Sequence, residues 1–241
     1  EHIIANYFFF SKKVKKVYLY EDGLLNYIDV KLSGGIKKRS LKRKALSPLL
    51  FYRYKVVEDH LSGCQQRVIS RGYFQYPDEV YLSNKYNTIK KISLERVCAF
   101  GTDSEVALFI DQDIESVYGV EKGKGLREKL YSHLSQYKKV YVKFHHDYIS
   151  SGFSVESLPD NFAILEKFYQ DDIAENVVAR IGAGVACSFT STALINISTK
   201  HQNIKCFCCT SEWHEVKTRL GEEKISELFK RFNVLDVNIV R

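Results

Sequence analysis

Apolar positions along this chain fall into short runs, many of which end in side chains able to donate, accept or carry a proton. Residues 106–110, Val-Ala-Leu-Phe-Ile, are continuously apolar between polar flanks, as expected of a strand buried on both faces of a parallel sheet. Leu126, Leu130, Tyr131 and Leu134 then recur at helical spacing and predict a helix over about 125–137. A strand follows at 139–144, a helix at 173–181, a short strand at 185–187 and a helix from about 191. A strand at 204–208 and an amphipathic helix at 226–232 close the chain. This alternation of strand and helix predicts an α/β fold with a parallel sheet.

The earlier part is less regular. Residues 2–10 read as a helix leading into a strand at 16–20. Residues 24–30 read as a helix that Ser33-Gly34-Gly35 ends. A basic segment and the apolar 49–52 come next, and 60–100 is mixed, with extended candidates at 80–82 and 97–100. No internal repeat is visible. The change of character at Gly101 predicts two domains, 1–100 and 101–241.

With 241 residues and 45% hydrophobic content, the chain can bury one good core or two small ones. No apolar run approaches the roughly 20 residues needed to span a bilayer, and residues 7–10 are too short for the core of a signal peptide. The chain contains no Met, so residue 1 is expected not to be the native start. Charge is unevenly placed. Residues 1–60 hold 13 Lys/Arg against six Asp/Glu, whereas the remainder is balanced at 23 of each. The excess is concentrated in Lys12, Lys13, Lys15 and Lys16 and in Lys37, Lys38, Arg39, Lys42, Arg43 and Lys44. Such a cluster is either a solvated face or a site for a polyanion: nucleic acid, anionic lipid or acidic polysaccharide. Cys206-Phe207-Cys208-Cys209, near His201 and His214, lacks the spacing of a zinc knuckle. It reads as a buried strand, with free thiols suited to a reducing cytoplasm.

Three groups of side chains carry candidate chemistry. Glu21-Asp22-Gly23 follows the strand at 16–20, Lys143-Phe144-His145-His146 ends the strand at 139–144, and Ser191-Thr192 opens a helix after Gly182 and Gly184. Taken singly, these are a polar turn, a histidine pair and a helix cap. Together, in this order, they resemble the acidic-acidic-Gly, His-Pro and Ser-Ser/Thr motifs of bacterial GT-B sialyltransferases, within them the capsular polysialyltransferase-like branch. His146 stands where that family has proline. The resemblance implies a GT-B-like fold, with a Rossmann-type nucleotide domain at 101–241 and part of an acceptor-side α/β domain at 1–100. Several βα units that normally precede the acidic pair have no counterpart in this sequence.

The resemblance further implies a transferase that moves sialic acid from CMP-sialic acid to a glycan hydroxyl with inversion, in capsule or lipooligosaccharide synthesis. Glu21 would be the general base, Asp22 and Gly23 would shape its turn, and His145, or its neighbour His146, would meet the departing phosphate. Lys143, Ser191 and Thr192 would hold the nucleotide, with Ser188 and Thr190 as second choices and Glu175 toward the ribose or base. Lys37, Lys38, Arg39, Lys42, Arg43 and Lys44 would bind an acidic acceptor, with anionic membrane as the second partner and nucleic acid as none. Asp111-Gln112-Asp113 has the form of a DxD metal motif. A departing monophosphate has less need of metal than a diphosphate, so neither metal nor other cofactor is expected. The remaining readings are transfer from another donor such as CMP-Kdo, and a non-catalytic polyanion-binding protein. The expected location is cytoplasmic, at the inner face of the plasma membrane. Glycine-rich dinucleotide and P-loop motifs are absent, which argues against NAD and ATP enzymes.

Overall fold

The computed structural model describes residues 6, 10–21, 23–31, 34–50, 54–55, 60, 69–93, 101–115, 119–144, 158–209 and 215–237. The expected helix at 2–10, except for residues 6 and 10, and the extended segment at 97–100 lie outside them. The chain divides into two compact units, Glu1–Ser93 with Val216–Glu222, and Leu94–Glu215 with Glu223–Arg241.

The larger unit is built on a six-stranded sheet of β4 (Asp103–Ile110), β5 (Lys139–Lys143), β6 (Phe162–Ile164), β7 (Ala183–Ser188), β8 (Lys205–Cys208) and β11 (Leu235–Asp236). The order across the sheet is β11-β8-β7-β4-β5-β6, and every pairing is parallel. In order of appearance these strands run 6-5-4-1-2-3, the doubly wound Rossmann arrangement, whose order reverses between its first and fourth strands. Here that switch point lies between β4 and β7.

Continuous apolar runs make the two central strands. All six residues of β7 are buried, as are the last four of β4. Helix α2 (Val120–Leu134) lays Leu126, Leu130 and Leu134 against Ala107, Phe109, Val140, Val142, Val185 and Cys187. Helices α4 (Ala174–Arg180) and α5 (Ala193–Lys200) pack on β7 and β8. In chain order α3 (Lys167–Asp171) is a short link between β6 and α4, and α6 (Ile225–Arg231) leads into β11. α4 ends at Gly182, whose φ of +67° suits the left-handed residue that commonly closes a helix.

Gly184 allows β7 to approach β4. A Cβ at this position would stand 2.7 Å from the Asp103 carbonyl oxygen, a backbone atom that cannot swing away. Gly184→Ala is therefore expected to destabilise the chain by about 1–3 kcal/mol, the usual cost of overpacking, measured as a lower midpoint in chemical denaturation.

The smaller unit holds a parallel sheet in the order β1-β2-β3, formed by Val17–Tyr20, Ile69–Phe74 and Ile89–Lys91. Alternation places Tyr18 and Tyr20 on the same face as their partners Arg71 and Tyr73. Tyr20 stacks on Tyr73 at 4.9 Å, and the Arg71 guanidinium lies over Tyr18 and Tyr73. A two-stranded sheet, β9 (Glu215–Thr218) and β10 (Gly221–Lys224), brings residues 216–222 into this unit.

Three segments depart from the form their sequence predicts. Residues 24–30 are not a helix: a single 3-10 turn at Gly23–Asn26 gives way to extended backbone, where Ile28 bridges Thr218. The glycine pair opens a helix rather than ending one, because α1 spans Gly34–Leu46 and contains the whole basic cluster. Glycine marks either end of a helix, and here Arg43 and Lys44 in the last turn match the negative end of the helix dipole. Residues 80–82 are not extended as a strand, since Leu82 has a φ of +57° and enters a turn.

Candidate active site

Glu21 leaves the carboxyl end of β1 with its backbone N–H donated to the Tyr73 carbonyl at 3.0 Å. Its Oε2 accepts the Gln75 N–H at 2.6 Å, and the fully buried Tyr27 lies near the same carboxylate. Burial raises the Glu21 carboxyl from its ordinary value, and the bond from the Gln75 N–H pulls it partly back. Gly23, with a φ of +61°, makes the turn that follows. The result is a half-buried carboxylate, oriented by one backbone amide, with an elevated proton affinity. Asp22, the second acid of the motif, lies outside the described residues.

In the larger unit, the carboxyl ends of the parallel strands share one edge. At the switch point Gln112, just after β4, joins the two strands by its side chain. Its Oε1 accepts the Thr190 N–H at 2.6 Å and lies 3.1 Å from the Ser188 hydroxyl, which is 2.6 Å from the Ile110 carbonyl. Ser188 and Thr190 therefore belong to the tie between β4 and β7. Ser191 and Thr192 follow at the start of α5. The Ser191 hydroxyl accepts the Ala193 N–H at 3.3 Å, and the Thr192 carbonyl accepts from Ile195 and Asn196. Backbone N–H groups at a helix start favour anions. The crevice beside a switch point is where open α/β sheets bind ligands.

Lys143 and Glu175 are both engaged with the protein. The Lys143 ammonium donates to the carbonyls of Tyr169 (3.2 Å) and Gln170 at the C-terminal end of α3, a favourable place for a cation. Burial lowers its pKa, while Asp172, Asp171 and Glu175 oppose that fall. Gln170 completes the lock: its Oε1 accepts the Phe144 N–H at 2.9 Å, and its Nε2 donates to Val142 and Leu165. α3 thus holds the end of β5 at the residue preceding His145. His145 and His146 themselves lie outside the described residues. The Glu175 carboxylate accepts from Asn196 of α5 at 2.6 Å, and its carbonyl lies 2.8 Å from His201 Nε2.

Of the two aspartates of the DxD pattern, Asp111 is buried and Asp113 half-buried. Asp111 is 2% exposed and paired with Arg127 of α2. The same guanidinium holds Glu115 through two bonds of 2.7 and 3.1 Å and donates to the Gln112 carbonyl. Two carboxylates share one cation, and Asp111 Oδ2 is buried without a hydrogen bond. Burial accordingly outweighs Arg127 and lifts the Asp111 carboxyl to about 6. Among the described residues, no group of three or more His, Cys, Asp or Glu is placed to hold a metal ion.

Arg127, Gln112, Tyr27 and Gln75 were not singled out by the sequence. Arg127 left a trace, because it occupies a position in the apolar stripe of α2 between Leu126 and Leu130. The cysteines match the expected buried strand: Cys206, Cys208 and Cys209 are buried, and burial pushes the Cys206 and Cys209 thiols up to about 12. They stay protonated. On α1, Lys37, Lys38, Arg39, Lys42 and Lys44 are exposed and Arg43 is half-buried, while Ser40 faces inward. Leu41 and Leu46 are exposed among these cations. No helix among the described residues is long and apolar enough to cross a membrane.

The model of the alpha-2,8-polysialyltransferase (POLYST) family matches residues 1–210, so both the Glu21 turn and the β4–β7 switch point fall within the matched span. No curated protein matches the chain. On the extent of that match, the chain belongs to the alpha-2,8-polysialyltransferase family and is a glycosyltransferase of the sialyltransferase type.

Proposed function

We propose that this chain transfers sialic acid from CMP-sialic acid to a hydroxyl of an acidic glycan, with inversion at the anomeric carbon, in capsule or lipooligosaccharide synthesis. The observation that carries the reading is the Glu21 carboxylate, whose raised proton affinity and fixed orientation suit a general base. The acceptor oxygen forms a bond to the anomeric carbon as its proton passes to Glu21. The bond from that carbon to the CMP phosphate breaks, and the phosphate keeps the electron pair. His145, or His146 beside it, supplies positive charge and a proton to the phosphate, and the amides around Ser191 and Thr192 bind it. Lys143 and Glu175 act on the nucleotide side through the protein groups they hold.

In this reading residues 1–100 and 101–241 are the acceptor and nucleotide domains of a GT-B transferase. One phosphate is neutralised without a divalent cation, so no metal is required. The α1 cations hold the acidic acceptor, and peripheral contact with an anionic membrane at the cytoplasmic face is compatible with the same surface. Thermal shift with CMP, UMP, UDP and GDP tests the reading, since a nucleotide that binds the folded state raises its melting temperature by mass action. The largest shift is expected with CMP. A clear preference for UDP or GDP would overturn the assignment of donor.

A further inference from the structure

Residues 216–222 come back from the far end of the chain to join the smaller unit. There Thr218 bridges Ile28, and the Asp29 N–H donates to the Lys217 carbonyl at 2.7 Å. This return completes a pocket of about 390 Å³. Its lining includes His60, Tyr81 and Asp29, with Lys31, Lys37 and Lys217 beside them. Glu21, Tyr27 and Gln75 are not part of that lining. Lys217 lies beyond the span that the family model matches.

The lining has two chemical characters. His60 is 2% exposed, its Nε2 is 2.8 Å from the Ile28 carbonyl, and its ring lies 5.7 Å from that of Tyr81. The backbone N–H of Tyr81 donates to the Asn26 carbonyl at 2.9 Å, so this wall is pinned. The three lysines are exposed and come from three separate segments: the approach to α1, α1 itself and β9. Three lysines lining one concavity make it electropositive and favour an anion there. Among the described lining residues Asp29 is the one carboxylate, and it disfavours a multiply charged phosphate while being able to accept hydrogen bonds from hydroxyls. The volume lies near the lower end of the roughly 300–1,000 Å³ of small-molecule sites, room for about one sugar residue.

The geometry points to a binding site for a single carboxylate-bearing sugar residue, separate in its lining from Glu21. The inference rests on the proposed use of an acidic glycan, and names where one residue of it is gripped. The lysines pair with the carboxylate, and Asp29 and Tyr81 take the hydroxyls. Such a residue comes either from within a longer acceptor or as a free sugar acid.

Calorimetric titration of the full chain with free sialic acid, short sialic acid oligomers, neutral oligosaccharides of equal length and inorganic phosphate tests the site. The Lys31→Ala/Lys217→Ala variant is expected to bind oligomers at least tenfold more weakly, with CMP affinity unchanged and partial recovery in Lys31→Arg/Lys217→Arg. Tight binding of free sialic acid, lost in the same variant, identifies a monosaccharide site. Binding of oligomers alone identifies a grip on the acceptor chain. Either outcome supports the inference. Equal oligomer affinity in wild type and variant overturns it, as does neutral sugar or phosphate binding as tightly as the sialic acid ligands. These results are independent of the donor assignment, which fails instead if the wild-type chain does not bind CMP.

Discussion

Glu21→Gln is expected to lower kcat by about 100-fold or more, the range for loss of a positioned general base, while CMP affinity stays at the wild-type level. The amide keeps the shape of the side chain and can still accept the Gln75 N–H, so the loss is of proton affinity rather than of the turn. The pH dependence follows from the same group. Burial raises the Glu21 carboxyl, and only its ionised form accepts a proton. Turnover of the wild type should therefore fall as pH drops through a value above that of an ordinary glutamate. In Glu21→Gln that acidic limb disappears. Steady-state kinetics over a pH series reads both effects. A variant with wild-type turnover would remove Glu21 from the chemistry, and an unchanged acidic limb would assign that limb to another group.

Arg127→Ala is expected to cost about 3–5 kcal/mol of stability, because removing one partner of a buried ion pair leaves charge uncompensated in the interior. Here two carboxylates, Asp111 and Glu115, would lose their shared cation beside the switch point. Chemical denaturation measures the loss, and adding Asp111→Asn to Arg127→Ala should recover part of it. An Arg127→Ala chain that unfolds at the wild-type midpoint would show that the cluster contributes nothing. The sign of the wild-type pH dependence also follows. The Asp111 carboxyl is raised to about 6 in the folded chain, whereas an unfolded aspartate titrates near 3.9, roughly. Its contribution is fully present below the unfolded value and is lost as pH rises toward and through about 6. Asp111→Asn should flatten stability over that window.

The larger unit was the more legible in sequence, for a physical reason. A strand buried on both faces has to be apolar throughout, so 106–110 and 185–187 show themselves without reference to their partners. Helix α2 was visible because its stripe against the sheet recurs every three to four residues. The smaller unit hides its sheet. β2 reads Ile-Ser-Arg-Gly-Tyr-Phe, and its polar residues make sense only when Arg71 and Tyr73 lie beside Tyr18 and Tyr20 of β1. The glycines before α1 were ambiguous because glycine serves both ends of a helix.

What the amino-acid sequence determined by itself is local: where buried strands and amphipathic helices form, that they alternate into a parallel α/β sheet, and that an acidic turn, a histidine pair and a hydroxyl pair occur in an order that resembles sialyltransferases. Tertiary structure alone decided the partners of those groups. Asp111 turns to an arginine sixteen residues away, Lys143 caps a helix that begins twenty-four residues later, and Lys217 joins Lys31 and Lys37 around one pocket. Periodicity reports which face of an element is buried. The environment of a charge depends on which distant segment packs against it, and no pattern along the chain encodes that directly.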